Sequence, residues 1–139
     1  MRALFAACCL LTTISAVAND GYERLDGHGG PIMGVAAGER DTRLSASFDY
    51  SVGYWTGADP LWLEGHQAAV NSVAFLGQHR AVSGGDDYSL IIWDLQSAKK
   101  LQQLEGHQGK ILSVTVSPDQ TLIASASWDG RAGLWASST

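Results

Sequence analysis

Residues 65–95, GHQAAVNSVAFLGQHRAVSGGDDYSLIIWDL, decide the fold. Val70 to Phe75 is rich in strand formers, Arg80 to Ser83 follows a turn containing Gly77, and Ser89 to Trp93 is β-branched and apolar. Lys100 to Leu104 returns as a fourth short strand. The run Ser-Leu-Ile-Ile-Trp is apolar on both strand faces, as expected of a sheet held between two others. Asp86-Asp87 marks the turn between the second and third strands, and no helical period competes.

The same landmarks recur on either side. Gly-His stands at Gly27-His28, Gly65-His66 and Gly106-His107, spaced by 38 and 41 residues, each preceded by an acid: Asp26, Glu64 and Glu105. An Asp follows each His after 21 or 22 residues (Asp49, Asp87, Asp129), and a Trp follows each Asp after six (Trp55, Trp93, Trp135). A fixed period of this length means that each unit is one supersecondary element, burying its faces only against its neighbours. Pro118-Asp119 and Asp129-Gly130 supply turn signals in the third unit. Gly53 and Gly133, in the third strands, predict a close approach of a neighbouring sheet or a weakened strand.

With Trp93-Asp94 closing the fullest unit, the pattern resembles the WD-repeat β-propeller family from about Tyr22 to Ser137. The resemblance implies an all-β partial propeller of three four-stranded antiparallel blades at about 27–64, 65–105 and 106–139, with 22–25 as a closing outer strand. It also implies a hydrogen-bonded chain in each blade, from indole to Ser to His to the turn Asp. The first unit then uses His28, Ser47, Asp49 and Trp55, and the third His107, Ser127, Asp129 and Trp135. In the second unit Gly85 takes the Ser position, leaving His66, Asp87 and Trp93 without a middle link unless Ser83, two residues earlier, substitutes. On that assignment Asp129→Ala is expected to cost more stability than Asp87→Ala. The recurrence argues against a hydrolytic triad, since a nucleophile is needed once. It also argues against a shared metal site, because each His is held by its own Asp. His79 lies outside the pattern, in a turn, and is expected to be solvated.

The family's partner-binding face is built from the loops that carry these His and Asp residues. The resemblance therefore makes Phe48, Asp86 and Trp128, each just before a turn Asp, candidate contacts; Pro31, Ala69 and Lys110, which follow the Gly-His pairs and begin the first strands, are secondary ones. Large aromatics at a rigid turn suit a binding hot spot, the alternative being that Phe48 and Trp128 fold back onto their own sheets. Tyr50 and Tyr88 are read as blade-edge packing. The function expected is a non-catalytic protein-interaction scaffold without a cofactor; the runner-up is the N-terminal part of a periplasmic WD-repeat/c-type cytochrome fusion serving electron transfer, and a propeller enzyme is the remote alternative.

Composition narrows the classes further. The chain has 139 residues, 45% of them hydrophobic, and a net charge of -5. Nine Lys and Arg residues are scattered among fourteen Asp and Glu, so no basic stripe serves a nucleic acid. Arg2, the apolar run from Ala3 to Val17 and the small-x-small site Ala16-Val17-Ala18 read as a signal peptide over 1–18. A mature domain of 19–139 would then be periplasmic or secreted and would not insert into a membrane, the apolar run being shorter than a bilayer span. A membrane anchor, or a lipoprotein acylated at Cys8, is the weaker reading. Cys8 and Cys9 are the only cysteines, so the mature part holds no disulfide, thiolate zinc site or Cys-x-x-Cys-His haem attachment. Three blades do not close a ring, so the chain is expected to be the front of a longer array or to self-associate. The leader and the repeats together resemble bacterial exported WD-repeat proteins, some of which continue into a c-type cytochrome.

Overall fold

The computed structural model describes Gly21 and residues 23–138; the leader expected at 1–18, with Cys8 and Cys9, lies outside the described residues, as does Tyr22. Eleven strands follow in order: β1 Ile32–Ala37, β2 Arg43–Ser47, β3 Ser51–Trp55, β4 Pro60–Glu64, β5 Val70–Phe75, β6 Arg80–Gly85, β7 Leu90–Asp94, β8 Lys99–Leu104, β9 Ile111–Val116, β10 Leu122–Ser127 and β11 Ala132–Ala136. They form three antiparallel meanders, β1-β2-β3-β4, β5-β6-β7-β8 and β9-β10-β11. The first two are four-stranded blades. The third has three strands among the described residues, so the four-stranded expectation holds for two blades of the three.

Neighbouring blades pack through their inner strands and seal two apolar layers. Leu44, Ala46, Val52 and Leu63 of the first blade meet Val70, Val73, Ala81, Ile91 and Trp93 of the second. Leu76, Val82, Leu90 and Ile92 of the second meet Ile111, Val114 and Ile123 of the third. The middle blade is therefore covered on both faces, and Leu90 to Trp93 are all buried, as the two-faced apolar run predicts. Polar ties add register to this packing: the backbone N–H of Val114 donates to Ser72 Oγ at 3.0 Å, and Asn71 Nδ2 donates to the Ile111 carbonyl at 2.9 Å. On the opposite end of the blades, the Gly77 N–H donates to Gln120 Oε1 at 2.8 Å.

Of the outer strand expected at 22–25, Tyr22 lies outside the described residues. Glu23 to Leu25 carry no strand, and instead Glu23 accepts a 2.7 Å charge-assisted bond from Arg43 of β2, which draws this segment against the first blade. The glycines in the third strands also have a different cause from the one expected. A Cβ on Gly53 or Gly133 would lie 2.7 Å from the indole Nε1 of Trp55 or Trp135 in the same blade, and as close to the Ser hydroxyl beneath it. The approach is internal to the blade, not from a neighbouring sheet. Ile91 occupies the corresponding register position in the second blade, opposite Ser83.

Candidate protein-interaction face

Each blade contains one polar chain that links the loop before its first strand to the β-turn between its second and third. In the first blade Trp55 Nε1 donates to Ser45 Oγ (2.8 Å), Ser45 Oγ lies 2.7 Å from His28 Nε2, and His28 Nδ1 lies 2.9 Å from Asp49 Oδ2. The second blade repeats this with Trp93, Ser83, His66 and Asp87 at 2.8, 2.7 and 2.8 Å. The third does so with Trp135, Ser125, His107 and Asp129 at 2.9, 2.8 and 2.7 Å. One proton assignment satisfies every atom of a neutral imidazole: Nδ1–H donates to the carboxylate, and Nε2 accepts the hydroxyl proton while that oxygen accepts the indole N–H.

The serine in this chain is the one two residues earlier than expected. Ser47 and Ser127 are not members; their hydroxyls clip the turn, Ser47 donating to the Gly30 and Pro31 carbonyls and Ser127 to that of Gly109, while each accepts the N–H of the turn Asp. Both serine positions face the same side of β2 or β10, and only the earlier one lies beneath the indole. The second blade is therefore complete, and the expected ranking of Asp129→Ala over Asp87→Ala loses its basis. Gly85 lacks the turn clip for a steric reason: a Cβ there would stand 2.6 Å from the Ala69 carbonyl oxygen.

The repeated Gly of Gly-His also has a packing cause, since a Cβ on Gly65 or Gly106 would sit 3.0 Å from the ring of Trp93 or Trp135. In the first blade Trp62 adds a further layer, edge-on to His28 with centroids 4.7 Å apart. The three His, Ser and Asp sets are not catalytic triads. Each hydroxyl is buried beneath an indole and has its proton and a lone pair engaged, and each imidazole has both nitrogens engaged, leaving none for a metal.

The carboxylates end each chain under strong local control. Burial pushes Asp87 up, but the bonds from His66 and from the N–H groups of Gln67 and Ser89 outweigh it and lower its pKa from 3.8 to about 2. Burial likewise opposes the shift at Asp129, and the bonds from Gln108 N–H, His107 and Arg131 N–H hold it at about 2. Asp49 is also burdened by burial, yet the Ser51 hydroxyl and N–H, His28 and Gly29 N–H hold it below the ordinary carboxylate range. The residue after each Asp adopts a left-handed conformation: Tyr50 at φ 75°, Tyr88 at φ 68° and Gly130 at φ 80°.

These locked turns carry the candidate contact residues. Phe48 is 53% exposed and Trp128 72% exposed, so neither folds back onto its sheet. Tyr50 and Tyr88, expected to pack at blade edges, are half exposed at the same turns. Asp86 is tied across to the third blade: Lys110 Nζ donates to its Oδ2 at 2.6 Å, Asn71 Nδ2 donates to its Oδ1 at 2.7 Å, and Lys110 also stands 5.7 Å above the Trp128 ring. Asn71 was not among the expected contact residues. Pro31 is exposed, whereas Ala69 is buried and drops out as a contact; its carbonyl accepts the Asp86 N–H at 2.8 Å, closing the turn over it. His79 is exposed in its turn.

Two measurements test the site chemistry. Ser83→Ala leaves an indole N–H and an imidazole nitrogen buried without partners, so urea titration should show a loss of about 1–3 kcal/mol. Because the turn carboxylates titrate lower in the folded protein than in the unfolded chain, their contribution is complete above about pH 4. It should disappear as the pH falls towards about 2, seen as a falling urea midpoint across that window.

Comparison with known proteins places these features in a family. The WD domain, G-beta repeat family matches residues 61–94 and 98–136, together just over half of the chain. The repeat 61–94 begins in β4 and ends in β7, so each sequence repeat joins the outer strand of one blade to the three inner strands of the next. The ribosome biogenesis protein YTM1 of Vanderwaltozyma polyspora is 29% identical over 75% of this chain and 27% of its own. The small ribosomal subunit protein RACK1y of Oryza sativa subsp. japonica is 41% identical over 59% of this chain and 25% of its own. The guanine nucleotide-binding protein subunit beta of Schizosaccharomyces pombe is 35% identical over 50% and 23%. The chain thus spans about a quarter of the length of these relatives. Its repeats, its three blades and the buried polar chain in each show that it belongs to the WD-repeat family.

Proposed function

We propose that the chain is a non-catalytic platform for a protein partner, which it meets at the His–Asp turns. The observation that carries this is the exposure of Phe48 and Trp128, 53% and 72%, on turns whose backbone is fixed by a hydrogen-bonded, part-buried carboxylate. A large aromatic on a prepaid, rigid turn loses little entropy when it is covered, which is the physical basis of a binding hot spot. The Asp86–Lys110 pair between the second and third blades supplies directional polar contacts beside Trp128, and Pro31 extends the surface at the first blade. Basic charge is sparse, nine Lys and Arg against fourteen acids, which supports a protein over a nucleic acid as partner.

The site of action proposed is outside the cytoplasm, in the periplasm or secreted, supported by the positively charged start, short apolar run and Ala16-Val17-Ala18 site of the first eighteen residues. The relation to cytochrome-linked exported proteins rests on sequence resemblance alone, and no residue of the described blades supplies haem ligation of the Cys-x-x-Cys-His kind.

Phe48→Ser and Trp128→Ser should abolish cross-linking to the partner while leaving the melting temperature unchanged; retained cross-linking with lowered melting would return both side chains to a folding role. Intact-mass measurement of the exported protein should give a chain starting at Asn19, and a mass that retains Met1 to Ala18 would contradict the export proposal.

A further inference from the structure

The backbone lays out the three turn tips alike. In each blade the N–H of the tip residue donates to the carbonyl of the residue that begins the first strand: Phe48 to Pro31 at 2.9 Å, Asp86 to Ala69 at 2.8 Å and Trp128 to Lys110 at 2.9 Å. These residues therefore occupy equivalent places, and their side chains can be compared from one step between blades to the next. At the step from the second blade to the third, the Lys110 ammonium stands between the tip of the preceding blade and the tip of its own. It lies 2.6 Å from Asp86 Oδ2 and 5.7 Å from the centroid of the Trp128 ring. A carboxylate on one side and an aromatic face on the other thus hold one lysine.

The step from the first blade to the second has the same two groups in the opposite order. Phe48, half exposed, is the tip of the preceding blade, and Asp86 is the tip of the second. Where Lys110 stands one blade later there is Ala69, which brings no charge. Met33, at the strand irregularity that Asn71 occupies in the second blade, is also half exposed and offers an apolar bed for the stem of a lysine. The sign of the charge is right as well. Asp86 and Asp87 stand against the single ammonium of Lys110, and Asp86 keeps lone pairs beyond those that Lys110 and Asn71 engage. Glu64, exposed at the end of β4 opposite Ser51, adds a carboxylate at the turn of the first blade. Among the described residues Lys110 over Trp128 is the only cation–π contact, so the Phe48 ring is not already taken.

We infer that the step between Phe48 and Asp86 receives a lysine side chain of the protein partner, held as Lys110 is held one blade later. The site lies on the turns already assigned to the partner; it rests on that assignment and specifies the chemistry that the partner brings there.

NMR titration of the full-length chain with a decapeptide of alternating Lys and Gly, and with the same peptide acetylated at every lysine, tests this. The free peptide should give saturable shifts centred on the Phe48 ring and the Asp86 amide. Acetylation, which removes the charge and keeps the stem, should abolish them. Phe48→Leu, at an exposed turn, should weaken binding about two- to fivefold, the size of one exposed cation–π contact. Ala69→Lys should block the peptide, because it supplies the missing ammonium from within, at a place where the third blade already carries Lys110. Melting temperatures establish that each variant is folded. Equal shifts from the acetylated peptide would overturn the lysine assignment and leave the interaction platform standing. An absence of shifts from the free peptide, shifts spread over the acidic residues at both ends of the blades, or binding unchanged in folded Phe48→Leu would overturn it too. The platform itself fails on a separate result, cross-linking to the partner that does not respond to Phe48→Ser and Trp128→Ser.

Discussion

Everything distinctive in this structure depends on one buried hydroxyl per blade. Ser45, Ser83 and Ser125 each accept an indole N–H on one side and engage an imidazole nitrogen on the other, and each imidazole is in turn held by a carboxylate. A Trp buried without a partner for its N–H would carry a desolvation cost, as would an imidazole with an empty nitrogen. The serine removes both costs with a single atom. In doing so it fastens the third strand, the second strand, the loop before the first strand and the turn carrying Asp to one another. Hydrophobic packing holds the blades together, but this chain of bonds sets where the loops end in space.

Packing and function meet in the turn that the carboxylate closes. Asp49 and Asp87 each accept four hydrogen bonds, from the His, from the backbone after it, and from the hydroxyl and N–H of Ser51 or Ser89. The tip residue beside each Asp is then presented by a backbone that is already ordered. Phe48 and Trp128 stay in solvent because the turn beneath them is satisfied without them. Asp86 takes the third tip position and is spent on an inter-blade tie to Lys110 and Asn71. The middle blade is thus the structural centre, buried on both faces, and the flanking blades carry the exposed aromatic contacts.

The repeat, the strand positions of the middle blade and the pairing of each His with its Asp were all legible in the sequence, because they follow from spacing and from period-two alternation. The serine was misread for a reason visible in the same residues. In the first and third units Ser occurs both two and four residues before the turn Asp, and alternation puts both on one strand face. Only the second unit separates them: Ser83 lies four before Asp87, while Gly85 lies two before it. The position occupied by Ser in all three units is the bridging one, so the unit that looked defective held the decisive information. Ala69 illustrates the other limit, since a small residue before a strand looks like its counterparts Pro31 and Lys110 until the closure of the turn over it is known. Glu23 also pairs with Arg43 of β2, a contact that composition does not reveal.

If an indole–hydroxyl–imidazole bridge holds each blade, hydrogen exchange of the five indole N–H groups, followed by NMR, reads that bridge Trp by Trp. Strong protection is expected at Trp55, Trp93 and Trp135, whose Nε1 atoms lie 2.8 to 2.9 Å from the bridging serines, and rapid exchange at the exposed Trp128. Ser83→Ala should remove protection at Trp93 while leaving that at Trp55. Protection at Trp93 unchanged by loss of the Ser83 hydroxyl would contradict the bridge.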